Sequence, residues 1–286
     1  MKKSTNEVSI EESIKEFLLR KIRSPFVIVG LILVILFILV SIVPQIFTPY
    51  TIYTAFQSQP GAWSPPSYAH PLGQTELGYD VAAVIVYSIP TSLGLSGITV
   101  MIGLGGGILF GYLAGRFNWK IYTIIMAGMI FFYILPPIVM IIIFNEITYG
   151  STTPRMVFTI GALFVPSFTR VIANHVSRKL DPNYLFKKIL CYIPLHLGLS
   201  IIIFESLGYL GFFNPSIHIL GNLINYARTN LYSAPWASFY PGVTIFGMML
   251  SCFLLYIGLQ DYGQISKTYN PKFGINNDKS MRDIEE

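Results

Sequence analysis

Charge is what this sequence has least of. Asp, Glu, Lys and Arg make up 12% of its 286 residues, against 53% hydrophobic residues. An ordinary soluble domain carries about 25% charged residues. Too few charges remain to cover a water-soluble globule of this size, and the mean hydropathy of +0.58 agrees. The shortage argues against a cytosolic enzyme, a disordered chain and a nucleic-acid binder, despite the net charge of +5. It leaves an integral membrane protein.

Cysteine is nearly absent too. Cys191 and Cys252 form no CxxC pair and lie in or beside apolar segments, which argues against a disulfide framework or a zinc site. His70, His175, His196 and His218 are too scattered to read as a metal cluster. Gly105 and Gly106 belong to a glycine-rich run, but no Gly-Lys-Ser/Thr follows, as a phosphate-binding loop requires. Neither a nucleotide-binding loop nor a metal cluster is expected in this chain, so any ATP must be hydrolysed by a partner.

Long apolar runs are abundant. A bilayer core of ~30 Å needs ~20 apolar residues in a helix. Six segments qualify: Phe26 to Val43, Ile89 to Gly115, Ile121 to Phe144, Met156 to Ala173, Ile189 to Phe212 and Pro241 to Leu259. The fifth is the weakest, since it holds Pro194, His196 and Glu205. Of the 19 Lys and Arg residues, only Arg155 and Arg228 fall in the gaps assigned to one side. The loop from Pro44 to Ser88 has none. Because Lys and Arg collect on the cytoplasmic side, the expected fold is an all-α membrane protein with six spans and both termini cytoplasmic. The first apolar run is a full span after a charged stretch, which reads as a signal anchor rather than a cleaved peptide.

Several features point beyond mere insertion. Ile10, Ile14, Phe17, Leu18, Lys21 and Ile22 follow helical spacing, as an amphipathic helix on the cytoplasmic face would; the alternative is a partly ordered tail. Gly103, Gly107, Gly111 and Gly115 recur every fourth residue on one face of the second span, where small residues admit a neighbouring helix. Pro136, Pro137 and Pro166 lie within spans and read either as cavity-lining breaks or as packing kinks. Thr159, Ser167, Thr169 and Asn174 either line a path or bond their own helix backbone. Glu205 is the one acidic residue well inside an apolar segment. It is a candidate for cation binding, proton relay or substrate contact. The favoured alternative is a solvated position near the outer surface, since polar loop residues begin soon after it. The loop from Pro44 to Ser88 is expected to be extended and turn-rich. Tyr232, Trp236, Phe239 and Tyr240 match an interfacial aromatic belt, and Pro241 is expected at the first turn of the sixth span.

The residues His70-Pro71-Leu72-Gly73-Gln74-Thr75-Glu76-Leu77-Gly78-Tyr79-Asp80-Val81, followed by Thr91-Ser92-Leu93, closely resemble the signature of the second, C-type permease subunit of dipeptide, oligopeptide and nickel ABC importers. Arg23-Ser24-Pro25 is similar to that family's basic-x-Pro start, and Gly111-Tyr112-Leu113-Ala114-Gly115 to its second-span exit. Ser206-Leu207-Gly208-Tyr209-Leu210-Gly211 resembles its Ser-Leu-Ser-Phe-Leu-Gly, and Ala234-Pro235-Trp236 with Pro241-Gly242 its Ala-Pro-Trp and Pro-Gly. Asn270-Pro271 stands where an Asp-Pro is usual. The resemblance runs from about Arg20 to Phe273; the His-Pro-Leu-Gly and Ala-Pro-Trp blocks are its specific signals.

The resemblance implies a type I ABC importer permease in a prokaryotic cell (plasma or inner) membrane. It pairs with a second, B-type permease, two ATPase subunits that bind ATP and Mg, and an extracytoplasmic substrate-binding protein; nucleic acid is not a partner. It also implies a cytoplasmic N-terminal segment (1–25), a six-helix domain (26–260) with outer loops at 44–88 and 213–240 and a coupling region at 174–188, and a cytoplasmic tail (261–286). Two departures stand out. Tyr79 replaces an arginine, and the cytoplasmic loop that docks the ATPase is shortened. Its remnant is Asp181-Pro182-Asn183-Tyr184-Leu185-Phe186-Lys187-Lys188, either an apolar knob for a partner groove or an ordinary basic loop. An ion-gradient-coupled carrier using Glu205 and a degenerate permease acting as a scaffold remain the competing readings.

Overall fold

The computed structural model describes residues 17, 19, 21–117, 119–134, 137–147, 152–178, 182–214 and 216–260. The elements are α1 (Pro25–Ile42), α2 (Val81–Arg116), α3 (Trp119–Ile134), α4 (Pro137–Ile147), α5 (Thr153–Ser177), α6 (Pro182–Tyr209), α7 (Leu220–Ala227) and α8 (Trp236–Leu259), with short helical turns at Pro44–Ile46, Ile52–Ala55 and Arg228–Asn230. Among the described residues the β-structure is a single bridge between Gln74 and Asp80. Helices α1, α2, α5, α6 and α8 are each long and apolar enough to cross a membrane. Ile32, Ile42, Met101 and Phe246 stand exposed on their flanks, which lipid tolerates and water does not. The chain is a multi-pass membrane protein.

Helices α2 and α5 make the most extensive contact. A Cβ added at Gly103 would collide with Phe164, at Gly107 with Phe168, at Gly111 with Ile172 and at Gly115 with Val176. From the other side, Gly161 leaves room for Ile102 and the Thr99 carbonyl. These pairs advance together along both helices, so α2 and α5 run parallel. Elsewhere the order reverses. Gly30 meets Leu255 while Gly258 meets Val27, making α1 and α8 antiparallel. Gly198 meets Cys252 while the Cys191 thiol donates to the Leu259 carbonyl at 3.3 Å, so α6 and α8 are antiparallel too. Phe168 stacks near His196 and His175 near Tyr184, which sets α5 and α6 antiparallel.

One end of the bundle therefore gathers the start of α1, the end of α2, the end of α5, the start of α6 and the end of α8. Lys21, just before α1, donates to the carbonyl of Gln260, just after α8, at 2.7 Å. Lys21, Arg23, Arg116, Arg178, Lys187 and Lys188 belong to these ends, which makes this the basic end of the molecule. Phe17 is buried there with Val27, Cys191 and Leu259, and the ammonium groups of Lys21 and Lys187 lie over its ring.

Several boundaries differ from the sequence expectation. Helix α2 begins at Val81, because the Asp80 carboxylate caps it by accepting from the Ala83 amide at 2.8 Å; the preceding loop thus ends at Asp80 rather than Ser88. Within the expected third span the described helices are α3 and α4; Leu135 and Pro136, between them, lie outside the described residues. Helix α8 starts at Trp236, which places Pro241 inside the helix instead of at its first turn. Helix α6 starts at Pro182, well before Ile189. The segment expected as a plain loop at 213–240 holds α7, whose buried Leu220, Leu223 and Ala227 recur at helical spacing. Most of the amphipathic stretch from Ile10 to Ile22, and the tail from 261, lie outside the described residues.

The glycine pattern makes a testable contrast. Gly107→Ala is expected to destabilise the fold by about 1–3 kcal/mol through overpacking. Gly105→Ala, where an added Cβ meets nothing within 4 Å, should change stability by less than about 1 kcal/mol, the scale of the glycine-to-alanine propensity difference. Thermal unfolding in detergent, followed by exposure of the buried thiols of Cys191 and Cys252, measures both.

Candidate functional site

Three groups of residues carry the polar chemistry of the described chain. The first is a clasp at the end opposite the basic one. The His70–Asp80 segment folds back on itself: the Gly73 amide donates to the His70 carbonyl at 2.9 Å, the Thr75 amide to the Tyr79 carbonyl at 2.9 Å and the Val81 amide to the Gly73 carbonyl at 3.0 Å. Gly73 and Gly78 have φ of +79° and +76°, a left-handed conformation that glycine adopts without strain. A Cβ at Gly78 would also strike the Gln59 carbonyl. Asp80 uses both carboxylate oxygens: Oδ1 caps α2 and Oδ2 pairs with His70 Nδ1 at 2.9 Å. The Gln74 amide group donates to the Gly78 carbonyl at 2.9 Å. Pro71 and Glu76 are exposed, and Leu72 and Trp236 both pack against the buried cluster that holds Val81, Ile85 and Ile89.

The clasp closes on α8. Trp236 Nε1 donates to the Gln74 carbonyl at 3.2 Å, joining positions 162 residues apart. The two most specific motif blocks in the sequence, His-Pro-Leu-Gly and Ala-Pro-Trp, are thus one structural unit. A Cβ at Gly73 would run into the Trp236 indole. Beside the clasp, Phe56 stacks on His218 with centroids 3.4 Å apart, and Tyr79 meets the Phe56 ring edge-on at 6.1 Å. Tyr79, in the arginine position of the resembled motif, therefore contributes an aromatic contact. Burial pushes the His218 imidazole below its ordinary pKa of 6.5.

The second group surrounds Glu205. Its side chain is only 3% exposed, which corrects the expectation of a solvated position. Polar loop residues follow closely in sequence, but α7 folds back over this turn of α6 and shuts out solvent. Glu205 Oε1 accepts from the Ser92 hydroxyl of α2. Oε2 accepts from the Gly221 amide of α7 at 2.6 Å. Ser88 and Ser96, one turn either side of Ser92, are also fully buried. Neither Ser92 nor Gly221 is legible as a partner in the sequence; the one local hint was a hydroxyl repeat every fourth residue in α2.

The third group lies at the basic end. Asn183, Tyr184, Leu185, Phe186, Lys187 and Lys188 form the first turns of α6 and not a separate loop; Asp181 lies outside the described residues. Tyr184 and Phe186 are 43% and 47% exposed. A cleft of ≈ 130 Å³ between the ends of α5 and α6 is lined by His175, Arg178, Tyr184, Leu185 and Lys188, among others. The Lys188 ammonium sits 5.8 Å over the Tyr184 ring.

No family model matches the chain. It is similar to a glutathione transport system permease protein (GsiD) from Pectobacterium atrosepticum, with 27% identity over 276 residues, 88% of this chain and 91% of the relative. It is also similar to a dipeptide transport system permease protein (DppC) from Alkalihalophilus pseudofirmus, 24% identical over 84% of this chain and 85% of the relative. A di/tripeptide transport system permease protein (DppC) from Pseudomonas aeruginosa is 25% identical over 79% of this chain and 85% of its own length.

The His218 stack predicts a pH dependence. Its folded pKa is depressed, so the folded state favours neutral imidazole while the unfolded chain takes up the proton more readily. The stabilisation is present above about pH 6.5, the ordinary histidine value, and is lost as pH falls below it. The melting temperature of the wild type should therefore drop more between pH 7.5 and pH 5 than that of His218→Phe, which keeps a ring on Phe56 and cannot titrate. Equal drops in the two proteins would contradict this account.

Proposed function

We propose that this chain is the C-type permease subunit of an ABC importer for peptides or a related small solute, forming half of a translocation path driven by ATP hydrolysis in partner subunits. The observation that carries it is the Trp236–Gln74 bond. It unites the two specific motif blocks in a chain similar over most of its length to dipeptide and glutathione permeases. The solute class follows the names of those relatives: di- or tripeptides, or glutathione, itself a small peptide.

Six crossings are supported by direction. Helices α2 and α5 run parallel, so the chain between them must return from the basic end to the opposite one. Helix α3, with 16 residues, spans about 24 Å at 1.5 Å per residue, so α3 and α4 together make the return crossing. The basic end is cytoplasmic by the distribution of Lys and Arg, which puts both Lys21 and Gln260 inside. The protein resides in a prokaryotic cell membrane, beside a B-type permease, above two ATPases that bind ATP and Mg, and beneath a substrate-binding protein. The permease makes no covalent bond; it offers alternating access to a path between two subunits.

Contact with the ATPases falls to Asn183–Lys188. Helix α5 ends at Ser177 and α6 begins at Pro182, which leaves no room for a separate docking helix. The exposed rings of Tyr184 and Phe186, flanked by Lys187 and Lys188, supply an apolar knob with a cationic rim. The same short connection favours a second reading, a permease that has become a membrane scaffold. The gradient-coupled carrier loses its support, because both oxygens of Glu205 already hold protein donors.

Affinity purification from gently solubilised native membranes separates the two remaining readings. A second permease with two ATPases is the expected recovery; a second permease without any ATPase would move the scaffold to the front. A cysteine at Tyr184 should crosslink to an ATPase subunit under turnover, and the absence of that adduct would count against the contact.

A further inference from the structure

Glu205 sits where three segments meet. Its carboxylate accepts from Ser92 on α2 and from the Gly221 amide in the first turn of α7. Ile219, at the α7 N-cap, makes no side-chain cap bond, so Glu205 supplies from another helix the acceptor that free helix-terminal amides require. An anionic group there is also favoured by the helix dipole. The approach is close: a Cβ at Gly221 would strike the Glu205 carbonyl, and one at Gly208 would strike Ile219 and the Asn222 backbone. In the buried site this carboxylate has no water to fall back on, so releasing α7 would leave Oε2 without its donor while Oε1 keeps Ser92.

The other end of the same helix carries a different load. Helix α6 is continuous from Pro182 to Tyr209. Its first turns hold Asn183–Lys188, about 26–33 Å from Glu205 at 1.5 Å per residue. Just beyond α7, Leu231 and Tyr232 are exposed at 50% and 103%, at the end of the molecule opposite the ATPase contact.

We propose that Glu205 is a positioning residue that locks α7 to α2 and α6, so that receptor docking on the α7 side reaches the ATPase contact at Asn183–Lys188 through α6. This rests on the importer reading. Loss of the lock uncouples the receptor from the motor and leaves the motor itself running.

The test uses the whole importer in lipid nanodiscs, with its ATPases and receptor. Wild type is compared with Glu205→Ala and Glu205→Gln by receptor-stimulated ATPase rate, basal ATPase rate and hydrogen exchange of α7. In Glu205→Ala, α7 exchange should rise on the order of tenfold or more, as expected for a lost charged hydrogen bond. Receptor stimulation should vanish, and the basal rate should stay within about twofold of wild type, the spread expected of an intact motor. Glu205→Gln keeps one acceptor oxygen and should fall between. Unchanged α7 exchange overturns the lock. A loosened α7 with intact stimulation overturns the coupling, and so does a parallel fall of basal and stimulated rates, the signature of a merely structural role. If Glu205→Ala does not assemble, Ser92→Ala carries the test: partial loss of stimulation is expected, and wild-type stimulation overturns the proposal. An absence of ATPase activity from the wild-type complex instead fails the importer reading and the coupling with it, while α7 exchange in the isolated chain still judges the lock.

Discussion

A polar group inside a bilayer must find its hydrogen-bond partners within the protein, because lipid offers none. In this chain that constraint selects which helices meet and where. Glu205 can be buried only because α2 brings a hydroxyl and α7 brings a free helix-terminal amide to its two oxygens. Helix α7 in turn can lie against α6 only because Gly208 and Gly221 remove the side chains that would hold the backbones apart. The carboxylate and the glycines are one device: the glycines allow contact, and the carboxylate makes contact the only satisfied arrangement.

The rest of the bundle uses the same economy. Helices α2 and α5 approach through five glycines on one (Gly103, Gly106, Gly107, Gly111 and Gly115) and Gly161 on the other, so close packing takes the place of the hydrophobic drive that is missing between helices in lipid. The clasp at the far end solves a different problem. Its backbone leaves regular structure between α1 and α2, and its amides and carbonyls are paired within the loop, with Ser64 and with Trp236. Asp80 both starts α2 and holds His70, so the loop and the helix are set in register by one side chain.

These contacts give the importer reading its mechanical content. Alternating access needs rigid elements that join the two faces of the membrane. Helix α6 joins the two ends of the bundle, with the candidate motor contact on its first turns and the Glu205 lock one turn before its end. In that reading, the short connection between α5 and α6 leaves the span itself, through Asn183–Lys188, as the candidate ATPase contact.

Composition and the placement of Lys and Arg were enough to read a multi-pass helical protein and to group its basic residues at one end, because insertion into a bilayer depends on local hydropathy and charge alone. The motif blocks at His70–Val81 and Ala234–Trp236 were legible for the same reason: each is a short local run. Their meeting through Trp236 and Gln74 was not, since 162 residues separate the partners and no local property encodes which distant carbonyl an indole will reach. Glu205 was visible as an anomaly but its solvation was misread, because burial there is conferred by α7, a helix of eight residues too short to stand out from its loop. The reach of α6 back to Pro182 likewise depends on packing against neighbours. Sequence determined what must leave water; only the tertiary structure decided which polar groups would satisfy one another once there, because hydrogen bonding in a membrane is settled by the geometry between helices.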